Sequence, residues 1–368
     1  MPVTPQTNVS LTEISAVLKS RDDYVICGHV SPDGDCLGSQ LALAGILRRL
    51  GKRVTCVLAK PEKPDVRLSF LPGLADMVYA RDFMGEVGTF VAVDVPKRER
   101  IGDASRLLDE AEYSITIDHH AYPETMSTLT YCNPSMAATS MLIWELSKCL
   151  RVDNSGDIAL CAYTGLVTDT GRFQYQNADS RAFASASEMI TAGVDASFVS
   201  REVYQNRSEA SVLLEACSIK HMKLFCGGQA AISYVTRRDF EKCHAVKADA
   251  EALIDTLRSI AGVRVACMLR EQGDLIRGSF RAKDDTDVAA IAASFGGGGH
   301  KAAAGFSIEG PIEGALVRVG KAIGQALKET RYTVRMRLYG EMRIDTGHVR
   351  PDYRGASRCH HPRVAACR

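Results

Sequence analysis

Short runs of apolar and β-branched residues at 24–28, 54–58, 89–93 and 113–117 alternate with longer stretches whose apolar positions recur every three to four residues. A run too short for a helix and apolar throughout marks a strand covered on both faces. The first half of the chain therefore predicts a parallel sheet flanked by helices. Residues 37–50 have helical spacing and stop at Gly51, and 135–150, 157–167 and 179–192 read as further helices. After Gly193 the pattern turns helical and polar to about residue 222, as in a connecting segment. A second alternation follows: a strand at 229–234, a helix at 248–260, strands at 263–270 and 275–281 paired antiparallel across Glu271–Asp274, and helices at 287–295 and 312–329. The predicted class is α/β, with an N-terminal parallel-sheet domain over 1–192, a helical linker over 193–222 and a smaller α/β domain over 223–330. Residues 331–368 are Arg-rich, interrupted by Gly and Pro and without apolar period, and are expected to form a mobile extension.

Composition narrows the classes. With 368 residues, 46% hydrophobic and 24% charged, the chain is ordinary globular material with room for two cores. No apolar run approaches the roughly 20 residues of a membrane span, and Met1–Asn8 lacks the features of a signal peptide, so a soluble cytoplasmic protein is expected. The 12 cysteines include no Cys-x-x-Cys pair, and Cys27, Cys56, Cys161 and Cys267 sit inside apolar runs, as reduced structural thiols do. Residues 331–368 hold nine Arg, no Lys and three acids, which leaves the first 330 residues net acidic. An acidic body is poorly suited to long nucleic acid, whose binding rests on neutralising phosphates.

Candidate chemistry gathers at the strand ends. His29, Asp33 and Asp35 lie in the loop Gly28–Gly38 behind the first strand, Asp94 follows the third, Asp118-His119-His120 follows the fourth, and Asp169 lies in Thr164–Gly171. Open α/β sheets bind ligands at the carboxyl ends of their strands, which brings these sequence-distant residues together. Taken singly, Asp33 and Asp35 also suit a turn beside Pro32 and Gly34, Asp94 and Asp169 suit caps, and the paired histidines suit a surface. Jointly, two His and four Asp read as a site for two divalent metal ions. Such a pair lowers the pKa of a water and clamps both sides of an in-line displacement at phosphorus. Oxygen-rich, partly imidazole ligation suits Mn²⁺ or another first-row ion better than zinc. Near the end of the second domain, Gly296–Gly299 with His300 and Lys301 can be read as a flexible loop or as an anion nest, and Ser279 and Arg281 share one face of the preceding strand.

These motifs resemble those of the DHH phosphoesterase family, named for the Asp-His-His found here at 118–120. His-Val-Ser-Pro-Asp-Gly-Asp at 29–35, Val-Ala-Val-Asp at 91–94 and Gly-Leu-Val-Thr-Asp-Thr-Gly at 165–171 occur in the family's order. The run 296–305 resembles the family's DHHA1 domain, and the match covers about residues 15–328. The resemblance implies that His29, Asp33 and Asp94 hold one Mn²⁺ and that Asp35, Asp94, His119 and Asp169 hold the other, with Asp94 bridging. It implies that His120 faces the scissile phosphate and that Asp118 orients a ligand. Ser279, Arg281, Gly298, Gly299 and His300 would bind the nucleotide or its terminal phosphate. By length and domain pairing the similar subgroup degrades short oligoribonucleotides to mononucleotides and converts pAp to AMP and phosphate. The alternatives are a cyclic di-AMP or pApA phosphodiesterase, or a catalytically silent nucleotide-binding sensor. The partners implied are short single-stranded RNA or small nucleotides, with no long duplex and no membrane; a homodimer is compatible.

Overall fold

Every residue of Tyr24–Cys27 is buried, and the side chains alternate between two cores: Tyr24 and Ile26 enter one, Val25 and Cys27 the other. Only a strand covered on both faces divides its residues in this way. The computed structural model describes residues 7–121 and 124–327. Its first half contains α1 (Leu11–Ser20), β1 (Tyr24–Cys27), α2 (Gly34–Arg49), β2 (Val54–Leu58), β3 (Val78–Tyr79), β4 (Thr89–Val93), α3 (Ser105–Glu110), β5 (Tyr113–Asp118) and β6 (Leu129–Cys132). Helices α4 (Thr139–Leu150), α5 (Asp157–Asp169) and α6 (Ser180–Thr191) follow.

The six strands lie in the order β3-β2-β1-β4-β5-β6, and every neighbouring pair is parallel. Chain order reverses between β1 and β4, so the connections leaving these two central strands diverge and open a crevice at their carboxyl ends. Helices α1, α2, α4 and α5 cover one face of the sheet, and α3 with the turn Arg98–Ala104 covers the other.

Several predicted boundaries move for local reasons. Helix α2 begins at Gly34, not 37, because the Asp33 carboxylate accepts from the Asp35 and Cys36 amides and so caps it. Helix α4 begins at Thr139, not 135, because Asn133 ties Ser135 and Met136 into a turn. Helix α5 runs on to Asp169. The unpredicted α1 carries its own signature, a capping box between Ser10 and Glu13.

The connecting segment comprises α7 (Ala196–Ser200), a π-helical turn at Arg201–Gln205 and α8 (Glu209–His221). It is less polar than expected, since Val212, Leu213 and Ile219 of α8 are exposed. The second half contains β7 (Lys223–Phe225), β8 (Ala230–Val235), α9 (Arg237–Cys243), α10 (Leu253–Ser259), β9 (Val265–Gln272), β10 (Leu275–Ala282), α11 (Val288–Ala293), β11 (Gly298–His300), β12 (Ala303–Glu309) and α12 (Ile312–Ala326). Its mixed sheet has the order β11-β12-β10-β9-β8-β7, with β9 and β10 antiparallel as predicted. On β10, Ile276, Gly278, Phe280 and Ala282 are buried while Arg277, Ser279 and Arg281 occupy the opposite face.

The glycine run takes part in the sheet. Gly298–His300 is a short edge strand paired with Ala303–Gly305, which sets aside the flexible-loop alternative. A Cβ on Gly297 would lie 2.1 Å from the Gly305 carbonyl oxygen, so the absent side chain is what lets the backbones approach. The last residues of the helix predicted to reach 329, and the extension 331–368, lie outside the described residues. Among those described, no helix is long and apolar enough to cross a membrane.

Candidate active site

The crevice at the β1/β4 reversal is where the strand-end residues meet. His29 follows β1, and its Nδ1 lies 2.9 Å from the carbonyl of Val30. A carbonyl only accepts, so Nδ1 carries the proton and Nε2 is turned inward, 3.5 Å from Asp94 Oδ2 and 3.8 Å from Asp33 Oδ1. His119, after β5, repeats the device: Nδ1 faces the Met136 carbonyl at 3.2 Å, and Nε2 lies 3.5 Å from Asp94 Oδ1, 3.9 Å from Asp169 Oδ2 and 4.0 Å from Asp35 Oδ2. The two carboxylate oxygens of Asp94 thus face two different histidines. Asp94 itself leaves β4 with φ +56, a backbone conformation that non-glycine residues rarely adopt.

Buried Asp35 is held from across the fold. Its Oδ2 accepts from the Thr139 amide at 2.7 Å and its Oδ1 from the Ser140 amide at 2.9 Å. Helix α4 has no side-chain cap of its own, so Asp35 on α2 meets the positive end of that helix. The Thr139 hydroxyl donates to Asp94 Oδ1 at 3.0 Å, which links the two carboxylates through one residue. Asp169 ends α5, and its Oδ2 accepts from the Asn177 side-chain amide at 3.3 Å. Neither Thr139 nor Asn177 was expected at the site.

Asp118 and His120 pair beside this cluster, with His120 Nδ1 also 3.5 Å from Asp94 Oδ1. Asp118 Oδ1 accepts from the backbone amides of His119 and His120 at 2.8 and 3.1 Å and receives His120 Nδ1 at 2.8 Å. His120 lines the cleft with its Nδ1 fixed inward, which leaves Nε2 as the outer nitrogen. Burial lowers its pKa, but the charge of Asp118 and the hydrogen bond to it outweigh burial and raise it.

The electrostatics are those of concentrated negative charge. Burial pulls the His29 pKa down, but Asp94 and Asp33 overcome this and raise it to about 9. His119 is likewise lowered by burial and then raised to about 10, by Asp169, Asp94 and Asp35. Burial, then Asp94 and Asp169, push Asp35 up. Burial would raise Asp94 too, yet the hydrogen bond from His29 and the neighbouring imidazoles hold it well below the usual carboxylate range. Protons on the two histidines thus compensate charge that a cation would otherwise neutralise. Among the described residues, three groups have donor atoms within 4.8 Å of one another: Asp94 with His119 and His120; Asp35 with His119 and Asp169; and His29 with Cys36 and Asp94. The donor set fits a pair of divalent cations. Cys36 was not predicted, and burial pushes its thiol well above the ordinary range, which opposes a thiolate ligand. Asp33 stands at the rim with a side chain 62% exposed, one oxygen engaged in capping α2.

The C-terminal sheet forms the other wall of a cleft of about 1870 Å³. Ser279 and Arg281 line it from β10, with Gly296, Gly297 and Gly298 beside them. Gly299 lies on β11 with φ +146, and His300 ends that strand, its side chain lying outside what is described. β11 stands at the edge of its sheet, a position from which backbone donors can meet an anion.

A family model described as the DHH family, N-terminal domain matches residues 23–166, and one for the DHHA1 domain matches residues 227–329. The chain thus carries a DHH-family N-terminal domain followed by a DHHA1 domain. Among curated DHH relatives, the bifunctional oligoribonuclease and PAP phosphatase NrnA of Thermus thermophilus is 27% identical over 87% of this chain and 95% of its own. The NrnA of Bacillus subtilis is 29% identical over 81% and 93%. Among solved structures, an exopolyphosphatase-related protein from Bacteroides fragilis superposes with a TM-score of 0.77 at 29% identity, covering 86% of this chain and 95% of that one.

Proposed function

We propose that this DHH protein hydrolyses phosphoester bonds in short oligoribonucleotides and in pAp, with Mn²⁺ as its metal. His29, Asp33 and Asp94 would hold one cation, and Asp35, Asp94, His119 and Asp169 the second. The observation that carries this reading is Asp94, whose two oxygens face His29 and His119 respectively, each at 3.5 Å, as a carboxylate shared between two cations requires. When bound, the two cations supply an activated water at neutral pH and neutralise the phosphoryl oxygens.

The rest of the chemistry belongs to side chains. Asp118 fixes the His120 ring through Nδ1 and favours its charged form, so that Nε2 holds a proton facing the cleft. That proton neutralises a phosphoryl oxygen and can pass to the departing oxygen. Arg281 and Ser279, opposite, seat a terminal phosphate by charge and hydrogen bond. A cleft walled by two sheets admits a short single strand.

The test is a Mn²⁺ assay comparing pAp, RNAs of two to seven nucleotides, pApA and cyclic di-AMP, with the Asp94→Asn variant alongside. Release of phosphate from pAp and of mononucleotides from the RNAs is expected, with turnover abolished in the variant. Preference for cyclic di-AMP over every linear substrate would replace this reading with that of a cyclic dinucleotide phosphodiesterase, and full activity of Asp94→Asn would sink the site assignment.

A further inference from the structure

Immediately beyond Asp169 the backbone is unusual. Gly171, Arg172 and Phe173 have φ of +53, +62 and +59, three consecutive left-handed residues of which two carry side chains. The turn is fixed at both ends. Phe173 stacks on Phe183 with ring centroids 5.0 Å apart, and the Arg172 guanidinium lies 4.5 Å from the centroid of Tyr204. The chain then returns to the site: the Asn177 side-chain amide donates to the Asp169 carbonyl at 3.1 Å, the Asp169 carboxylate at 3.3 Å and the Ala137 carbonyl at 3.0 Å. Between these anchors, Tyr175 and Gln176 reach the C-terminal lobe. The Arg258 guanidinium of α10 sits 4.2 Å from the Tyr175 ring centroid, and Gln176 donates to the carbonyl of Lys283, two residues from Arg281. A Cβ on Gly171 would lie 2.1 Å from the Tyr175 ring, so ring and turn are in direct contact.

We propose that Gly171–Asn177 couples the two lobes of the cleft: Asn177 is a positioning residue for Asp169, and the contact of Tyr175 with Arg258 makes that position depend on the C-terminal lobe. The inference rests on the two-cation reading, in which Asp169 serves the second cation. A segment held in a rarely populated conformation keeps it only where its surroundings impose it, and here the C-terminal lobe supplies part of that constraint. The substrate-seating wall and the second cation site thereby support one another without touching.

The test is a calorimetric Mn²⁺ titration of the metal-free full chain, without substrate. Wild type is expected to take up two ions. Asn177→Ala should weaken one of them by roughly tenfold or more while sparing the other. Arg258→Ala, made on the other lobe, should weaken the same ion severalfold, and Arg258→Lys, which keeps a cation over the ring, should restore most of the loss. Arg237→Ala, at the surface of the C-terminal lobe, should leave both unchanged. If Asn177→Ala fails to fold, the Arg258 pair decides alone. Arg258→Ala with a wild-type isotherm, or with both ions weakened equally, would overturn the coupling. A wild type that takes up no Mn²⁺ overturns the cation reading itself and the coupling with it.

Discussion

Replacing Thr139 with Val removes one hydrogen bond and little else. The residue is fully buried at the start of α4, and Val fills the same volume and keeps the amide that donates to Asp35. What disappears is the hydroxyl donor to Asp94 Oδ1, 3.0 Å away. A hydrogen bond to a charged group contributes about 1.5–3 kcal/mol. At about 1.4 kcal/mol per decade, this corresponds to roughly 10–100-fold in Mn²⁺ affinity, the range in which loss of a ligand's supporting partner commonly falls. In the metal-free protein Asp94 keeps His29 and His119 as partners, so folding stability should fall by less than the full bond. The assay is a Mn²⁺ isotherm on metal-free protein together with kcat for pAp at saturating Mn²⁺. Affinity should drop while kcat largely recovers at high metal, because all candidate ligands remain, and Thr139→Ser should behave as wild type. A Thr139→Val isotherm within twofold of wild type would refute the argument that Thr139 orients Asp94.

Asp118→Asn should lower kcat by roughly 10²–10⁴-fold with little change in KM, because the neutral amide no longer favours the charged form of His120; steady-state kinetics with pAp checks this, and a pure KM effect would count against it. The stabilisation of the protein by Mn²⁺ should grow with pH. His29 and His119 have folded-state pKa values raised to about 9 and 10, so their protonated forms stabilise the metal-free fold fully below the ordinary histidine range, and this is lost as pH rises through those values. Cation binding requires the protons to leave, so the difference in Tm between Mn²⁺-loaded and chelator-treated protein should widen from pH 6 to pH 8.5, and a constant difference would show that these imidazoles are not ligands.

His29, Asp94 and the 118–120 triplet were legible because an apolar run fixes where the chain leaves a sheet, and the first polar residue beyond it has to stand at that edge. Asp33 was legible as a ligand-type residue but not as the cap of α2, because Gly34 and Gly38 are poor helix formers and mask the true start of the helix. Thr139 and Asn177 were not legible at all. A threonine that opens a helix and an asparagine in a turn are common in any sequence. Their partners here, 104 and 45 residues away for Thr139, are set by how α4 approaches α2 and β4. The strand pairing of the glycine run was not legible for a related reason: glycine is unfavourable in a strand interior, so four in succession read as a place of close backbone approach and an anion nest, or else as a flexible loop. At Gly297 and Gly299 it is the neighbouring strand that comes close, which no local pattern encodes.

The position of Asp94 shows why the centre is built around one residue. It leaves a central strand beside the point where chain order reverses, so the His29 loop lies on one side of it and the His119 loop on the other. A side chain there can address both only if the backbone turns it into the crevice, and the φ of +56 achieves that at a cost of about 1–3 kcal/mol for a non-glycine residue. Glycine would remove this strain but also the carboxylate. The strain is tolerable because the same residue is secured twice, its amide donating to the Ile117 carbonyl at 3.1 Å and its carboxylate accepting from Thr139. On the two-cation reading proposed above, local conformational preference is overridden at the position that must address both neighbours, and Ile117 and Thr139 supply the compensation.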